Sequence, residues 1–106
     1  MKNIKNHLPD QIVICGIKYK IVCAETVNKE ELERGEIDYM KCQILIDKTM
    51  PQDLQVQTLI HEVLHAVFDL TGNTELAADE KAVQGIATAL YCILTQNRYL
   101  VFRDAF

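Results

Sequence analysis

The sequence predicts an α+β fold in which a small antiparallel sheet of three or four strands packs on two long antiparallel helices. The first half of the chain contains short apolar stretches bounded by turn residues, which is typical of strands. Most of the second half repeats apolar residues at the three- and four-residue spacing of amphipathic helices. A length of 106 residues is typical of one domain, which we expect to span residues 1–106.

Residues 11–23 predict a β-hairpin whose turn is formed by Gly16 and Ile17, since glycine readily adopts the positive φ of a tight turn. Apolar residues at alternate positions would then lie on one face of the hairpin, with the lysines on the other. This turn pairs the residues of the apolar face in two couples: Ile14 with Tyr19, and Ile12 with Ile21.

A polar stretch and two more strands follow the hairpin. We predict a short helix over about residues 29–34, with Asn28 as its N-cap and Gly35 at its end. The strands are predicted near residues 36–40 and 43–47, and the second of them is strongly apolar.

Two long helices complete the predicted fold. The first spans about residues 52–70, with Pro51 before its first turn, and ends at the turn signal of residues 71–73. The second spans about residues 75–96. Because the turn between them is short, we expect the two helices to be antiparallel.

Composition and charge narrow the possible functions. Apolar residues make up 49% of the chain and charged residues 25%, which indicates a globular protein. The net charge is −4 and the lysines and arginines are scattered, so no nucleic-acid partner is expected. The start, MKNIKNHLPDQ, lacks the apolar segment of a secretory signal, and no apolar run reaches the length of a membrane span. We therefore expect a cytoplasmic protein without a membrane partner.

The stretch TLIHEVLHAVFDL, residues 58–70, carries the clearest chemical signal. His61 and His65 are four residues apart, so a helix places both side chains on one side. Two ring nitrogens placed in this way can bind one metal ion. Glu62, which follows the first histidine, can take a proton from water without binding the metal itself. This H-E-x-x-H pattern predicts a zinc site with Glu62 as catalytic base.

A catalytic zinc generally has three protein ligands, so a third ligand is expected. The remaining histidine, His7, precedes the hairpin, and nothing in the sequence places it near the site. Glu80 is the better candidate, because a carboxylate on an apolar seam is costly unless it is paired or bound to metal. Asp79 is the runner-up and Glu75 a weaker third choice. The seam of the second helix consists of Leu76, Glu80, Val83, Ala87, Leu90 and Leu94.

The segments TLIHEVLHAVFD and DEKAVQGIATALYCIL, preceded by GEIDYMKCQILID, resemble the ImmA/IrrE-type zinc peptidases over about residues 35–95. The likeness is greatest to their short stand-alone versions in phages and bacterial mobile elements. It implies a minimal zincin core in which Zn²⁺ is bound by His61, His65 and Glu80, with Glu62 as the base. It also implies that the strand near residues 43–47 borders the cleft, where a substrate peptide could pair with its edge.

The function that these observations predict is a zinc metallopeptidase that hydrolyses a peptide bond in a protein partner in the bacterial cytoplasm. Family members known for regulation cleave a repressor, so a repressor-like regulator is among the substrates that the resemblance implies. Tyr39 and Tyr91 are candidates for stabilising the oxyanion, although such tyrosines more often only pack. The alternative is a non-catalytic, zinc-stabilised module that binds another protein. A fourth protein ligand, such as His7 or a cysteine, would favour that module.

Overall fold

The computed structural model describes residues 8–25 and 34–98, which form a four-stranded sheet and three helices. The strands, in the spatial order β1-β2-β4-β3, are β1 (Gln11–Ile14), β2 (Ile17–Ala24), β3 (Gly35–Asp38) and β4 (Gln43–Asp47). The helices are α1 (Gln52–Leu70), α2 (Thr74–Ala77) and α3 (Glu80–Gln96). The predicted α+β class is therefore confirmed, and both later strands and the first long helix lie where the sequence places them.

The sheet is mixed, so the prediction of a purely antiparallel sheet is wrong. β1 pairs with β2 and β3 with β4 in antiparallel hairpins, but β2 and β4 run parallel. In this central pair Ile21 lies opposite Ile44, and both side chains are buried in the core. Turn residues predict which consecutive strands form a hairpin, whereas the way two hairpins join depends on contacts that are distant in sequence.

The turn of the first hairpin is formed by Cys15 and Gly16, one residue earlier than predicted. Both residues have positive φ, 50° and 84°, as a two-residue type I′ turn requires. The register is therefore shifted by two residues, and Ile12 pairs with Tyr19. A shift of two leaves every side chain on its predicted face, so Ile14, Tyr19 and Ile21 are buried as expected.

Gly35 has a different role from the one predicted. Residues 29–33 of the predicted short helix, and its N-cap Asn28, lie outside the described residues, while Arg34 is in a bend and Gly35 begins β3. A Cβ on Gly35 would lie 2.5 Å from Cγ2 of Thr58 and 3.4 Å from Cγ of Glu62. Glycine is thus required here because β3 passes close to α1.

Helix α1 is the central layer of the molecule. Leu59 and Ala66 pack against the sheet, while Leu64 packs against Val83 and Ala87 of α3. α1 and α3 are antiparallel, since the end of α1 lies beside the start of α3. No helix within the described ranges has the combined length and apolarity that crossing a membrane requires.

The second predicted helix is divided in two. The short helix α2 ends at Ala77, and α3 begins at Glu80 with Asp79 as its N-cap. Oδ1 of Asp79 accepts a hydrogen bond from the backbone N–H of Ala82 at 3.1 Å. An aspartate in this position satisfies an otherwise unpaired N–H of the helix start, which favours a new helix over continuation of the old one.

Candidate metal centre and cleft

Three side chains from two helices converge on one point. His61 and His65 lie in the middle of α1, and Glu80 is the first residue of α3. The two Nε2 atoms are 3.1 Å apart. Oε1 of Glu80 lies 3.0 Å from Nε2 of His61, and Oε2 lies 3.2 Å from Nε2 of His65. The structure therefore brings together the three residues that the sequence predicts as metal ligands.

The outer ring nitrogens determine where the protons of the histidines are. Nδ1 of His61 donates to Oε1 of Gln84 at 2.7 Å, and Nδ1 of His65 donates to the carbonyl oxygen of Ala77 at 2.7 Å. Both partners are oxygens that can only accept, so in the neutral rings each Nε2 carries a lone pair. These lone pairs face one another and the carboxylate of Glu80. The group could hold a metal ion, because a cation would satisfy all of these converging acceptors.

The dimensions of the group are compatible with one metal ion. Ligand atoms bound to one tetrahedral ion at about 2.0–2.1 Å lie about 3.3 Å apart. One ligand atom from each of the three side chains lies within 4.8 Å of the others, and the nearest pairs of atoms are 3.0–3.2 Å apart. The hydrogen bonds from Nδ1 to fixed oxygens are of the kind that orient metal-binding histidines. The fold of the chain thus brings together donor atoms that could hold a metal ion.

The exposure of Glu80 shows that the reason for predicting it as a ligand, the cost of burying a carboxylate, was wrong. Its side chain is 72% exposed, whereas those of His61 and His65 are 16% and 14% exposed. Of the predicted seam, Val83 and Ala87 are buried, and Glu80 lies at the open end of that seam. Its position next to two histidines, and not the cost of burying it, is what indicates a ligand.

The other candidate ligands lie elsewhere. Asp79 caps α3, and Glu75 is an exposed residue of α2 outside the group. The four cysteines are free, and none of them joins the cluster. Within residues 8–25 and 34–98 the group has three members, and His7 lies outside the described residues.

A cleft with two arms lies beside His61, His65 and Glu80. One cavity of about 440 Å³ and another of about 350 Å³ share Gly35, Glu62 and Glu80. We call them the first arm, which His61 also lines, and the second arm, which His65 also lines. Glu62 is only 7% exposed, and it lies between the arms, close to Gly35. The predicted base is therefore beside the ligands and shielded from bulk solvent.

The strand that borders this cleft is β3, so the prediction that residues 43–47 form its edge is wrong. β4 lies inside the sheet, between β2 and β3. The N–H of Asp47 donates to the carbonyl of Arg34 at 2.9 Å, and antiparallel pairing then turns alternate residues of β3 away from β4. The backbone groups of Gly35 and Ile37 point outward, and no other described strand pairs with that edge.

The two tyrosine candidates have different surroundings. Tyr39 lines the second arm with Glu62 and His65. Burial, followed by the negative charge of Asp69, the neighbouring Tyr19 and the charge of Glu62, raises the pKa of Tyr39 to about 12. Its hydroxyl therefore keeps its proton at neutral pH and can donate a hydrogen bond.

Tyr91 lies at the opposite end of the α1–α3 pair, in a groove with Asp53 and Val56. It lines neither arm of the cleft. The suggestion that Tyr91 stabilises an oxyanion is therefore wrong, and Tyr39 is the candidate that the fold places in the cleft.

Gln84 was missed at the sequence level, although a signal was present. Glu80, Gln84 and Thr88 are spaced four residues apart on α3, so their side chains lie along one side of the helix. The amide of Gln84 accepts from His61 and donates to Oγ1 of Thr88 at 3.1 Å. Polar residues at this spacing after a candidate ligand indicate a supporting hydrogen-bond chain.

Comparison of the chain with protein-family models, with curated protein sequences and with solved structures gave no match. The resemblance to the ImmA/IrrE-type zinc peptidases therefore stays a prediction from the residues of the sequence. The geometry shows only that His61, His65 and Glu80 form a group that could hold a metal ion.

Proposed function

We propose that the protein is a zinc-dependent peptidase in which His61, His65 and Glu80 bind zinc and Glu62 is the general base. The observation that carries the proposal is the convergence of two Nε2 lone pairs and a carboxylate beside a buried glutamate, in a cleft. Two imidazoles and one carboxylate are a known ligand set of catalytic zinc in hydrolases. Two nitrogen donors and one carboxylate suit zinc better than magnesium or calcium, which prefer oxygen ligands.

The number of ligands among the described residues is the number typical of a catalytic zinc site. Structural zinc sites generally have four protein ligands, whereas catalytic sites keep one position open. The described residues supply three ligands and no fourth His, Cys, Asp or Glu. The two arms of the cleft reach this open side from both directions.

The chemistry follows from the positions of the side chains. When bound, zinc supplies Lewis acidity, which lowers the pKa of water towards neutrality and polarises a carbonyl group. Glu62 takes the proton from the attacking water and later gives it to the leaving amine. Tyr39 keeps its hydroxyl proton and donates to the substrate carbonyl oxygen as negative charge develops there.

The free edge of β3 supports an extended peptide as substrate. Gly35 and Ile37 offer outward N–H and C=O groups, with which a peptide can pair as an added strand. A peptide on this edge passes both arms of the cleft and lies beside Glu62. The substrate is thus an exposed, extended segment of a protein, and the sequence resemblance favours a repressor-like regulator in a bacterial cytoplasm.

Metal analysis of the wild type and of single variants tests the ligand set. We expect one zinc per chain in the wild type and loss of stoichiometric zinc in His61→Ala and in Glu80→Ala. Glu75→Ala is the matched control, because it removes an exposed acid outside the group and should keep its zinc. A Glu80→Ala protein that retained tight zinc would overturn the proposed site.

Cleavage of a library of extended peptides tests the catalytic step. The zinc-loaded wild type should cut members of the library, and Glu62→Gln should keep zinc but lose hydrolysis. Wild-type rates in Glu62→Gln would rule out the assigned base. A zinc-loaded wild type that binds peptides and cuts none would favour the non-catalytic module.

A further inference from the structure

We infer that Gln84 is the positioning residue of the metal group: it determines which ring nitrogen of His61 carries the proton and thereby sets the affinity of the site for a metal ion. The inference rests on the proposed metal site, but it is independent of the proposed peptidase activity. It concerns a residue that neither the H-E-x-x-H pattern nor the search for a third ligand selects.

The proton on His61 is placed by Gln84. Oε1 of Gln84 accepts from Nδ1 of His61 at 2.7 Å, which leaves the lone pair of Nε2 for the ligand group. If Nδ1 had no acceptor, the neutral ring could carry its proton on Nε2 instead, where a metal could not bind. The hydrogen bond therefore selects the form of His61 that binds metal.

The amide of Gln84 is itself held in place. Nε2 of Gln84 donates to Oγ1 of Thr88, one helical turn further along α3, at 3.1 Å. Both polar atoms of the Gln84 amide thus have partners, although the side chain belongs to an exposed residue. The Thr88 hydroxyl tethers the amide in front of His61, so less rotational freedom is lost when the ring bonds to it.

The two histidines donate to acceptors of different kinds. The acceptor for His65 is the main-chain oxygen of Ala77, which no substitution of that residue removes. The acceptor for His61 is a side chain, and it is a neutral one. A carboxylate at this position would make the imidazole a more basic ligand and attract a cation more strongly. Position 84 is therefore where the affinity of the site can be changed without touching a ligand.

The test is a zinc titration against a chromophoric chelator, supported by the absorption spectrum of the cobalt(II)-substituted protein. Gln84→Leu keeps a side chain of similar bulk but removes the acceptor, so zinc should bind roughly 10- to 100-fold more weakly. Gln84→Glu restores an acceptor and should bind zinc at least as tightly as the wild type. Gln96→Leu, an exposed position at the end of the same helix, is the matched control and should leave the affinity unchanged.

Two outcomes would overturn the inference: unchanged zinc affinity in Gln84→Leu, or a Gln84→Glu protein that binds no more tightly than Gln84→Leu. Thr88→Val provides a second variant that leaves Gln84 in place, and it should weaken binding by a smaller factor and alter the cobalt spectrum. Circular dichroism of the zinc-free proteins shows whether each variant is folded. A wild type that bound neither metal would overturn the metal site and this inference together, whereas zinc binding without cleavage would leave the inference standing.

Discussion

The two sides of α1 are packed very differently. Against the sheet, the described core contains eight buried apolar residues, and it extends from Leu8 to Ala66. Against α3, the corresponding cluster contains three: Leu64, Val83 and Ala87. More of the described buried core therefore lies on the sheet side of α1 than on the α3 side, and full burial of an apolar side chain stabilises by roughly 1.5–3 kcal/mol. The metal group lies on the side of α1 that has the smaller buried cluster.

This difference indicates that the candidate site has a structural effect in addition to its chemistry. His61 and His65 belong to α1, while Glu80 belongs to α3, so a bound ion ties together two elements whose shared cluster contains three buried residues. Metal binding to such a group adds to the free energy of unfolding. Metal binding should have little effect on the local stability of the sheet side, and it should increase the local stability of the α3 side.

The largest effect is expected from a cavity on the sheet side. Ile44 is fully buried, so Ile44→Ala should lower the free energy of unfolding by about 2–5 kcal/mol. Urea unfolding should give the same loss with zinc and with chelator, since distant sites contribute additively. Ile86→Ala, at an exposed position on α3, is the control. If the loss at Ile44 differed strongly between the two conditions, the two sides of α1 would not be independent.

Zinc itself should stabilise the α3 side. A free zinc concentration of 100 times the dissociation constant should raise the free energy of unfolding by about 2.7 kcal/mol. Hydrogen exchange should show the added protection mainly in α3 and around Ala77, with little change in β2 beyond that of global unfolding. Equal added protection in β2 and α3 would contradict the proposed difference between the two interfaces.

An intermediate loss of stability is expected from a substitution that makes β3 clash with α1. Gly35→Ala would place a methyl group against Cγ2 of Thr58, and overpacking of this kind costs about 1–3 kcal/mol. Thr58→Ser removes the obstructing methyl group and keeps the hydroxyl, so the double variant should recover most of the loss. Thermal unfolding of the two single variants and the double variant measures this. Absence of recovery would place the strain elsewhere, for instance at the backbone oxygen of Leu45.

The smallest effect is expected at alkaline pH. Because the pKa of Tyr39 is raised from 10.0 to about 12, its neutral form is favoured more in the folded than in the unfolded chain. Its contribution to stability is fully present below pH 10 and is lost as the pH rises towards 12. Tyr39→Phe should make the decline of stability over this range less steep, and tyrosinate absorbance should lose a component that titrates at about pH 12. A component that persisted in Tyr39→Phe would belong to another tyrosine.

Local patterns in the sequence were sufficient for several elements and for the ligand group. The bounds of α1 match residues 52–70, because Pro51 and the turn after Leu70 are strong signals at the two ends. His61 and His65 meet Glu80 as predicted, since helical spacing and a short connection leave few other arrangements.

The features that were not predicted depend on contacts between distant residues. Parallel pairing of β2 with β4 places β3 at the cleft edge, and no local pattern specifies how two hairpins join. The break before Asp79 could have been found, because an aspartate three residues before Ala82 is a capping signal. Gln84 could have been found from its spacing to Glu80. The close approach that requires Gly35 is visible only once β3 and α1 are in place.

The parallel β2–β4 pair also has a kinetic consequence. Each of the two hairpins closes over a short loop, so either can form early and independently. Residues such as Ile21 and Ile44 meet only when one finished hairpin docks on the other, which requires closing a longer stretch of chain. Docking of the two preformed hairpins is therefore the expected rate-limiting step of folding. Substitutions along the β2–β4 pair should slow refolding more than they accelerate unfolding.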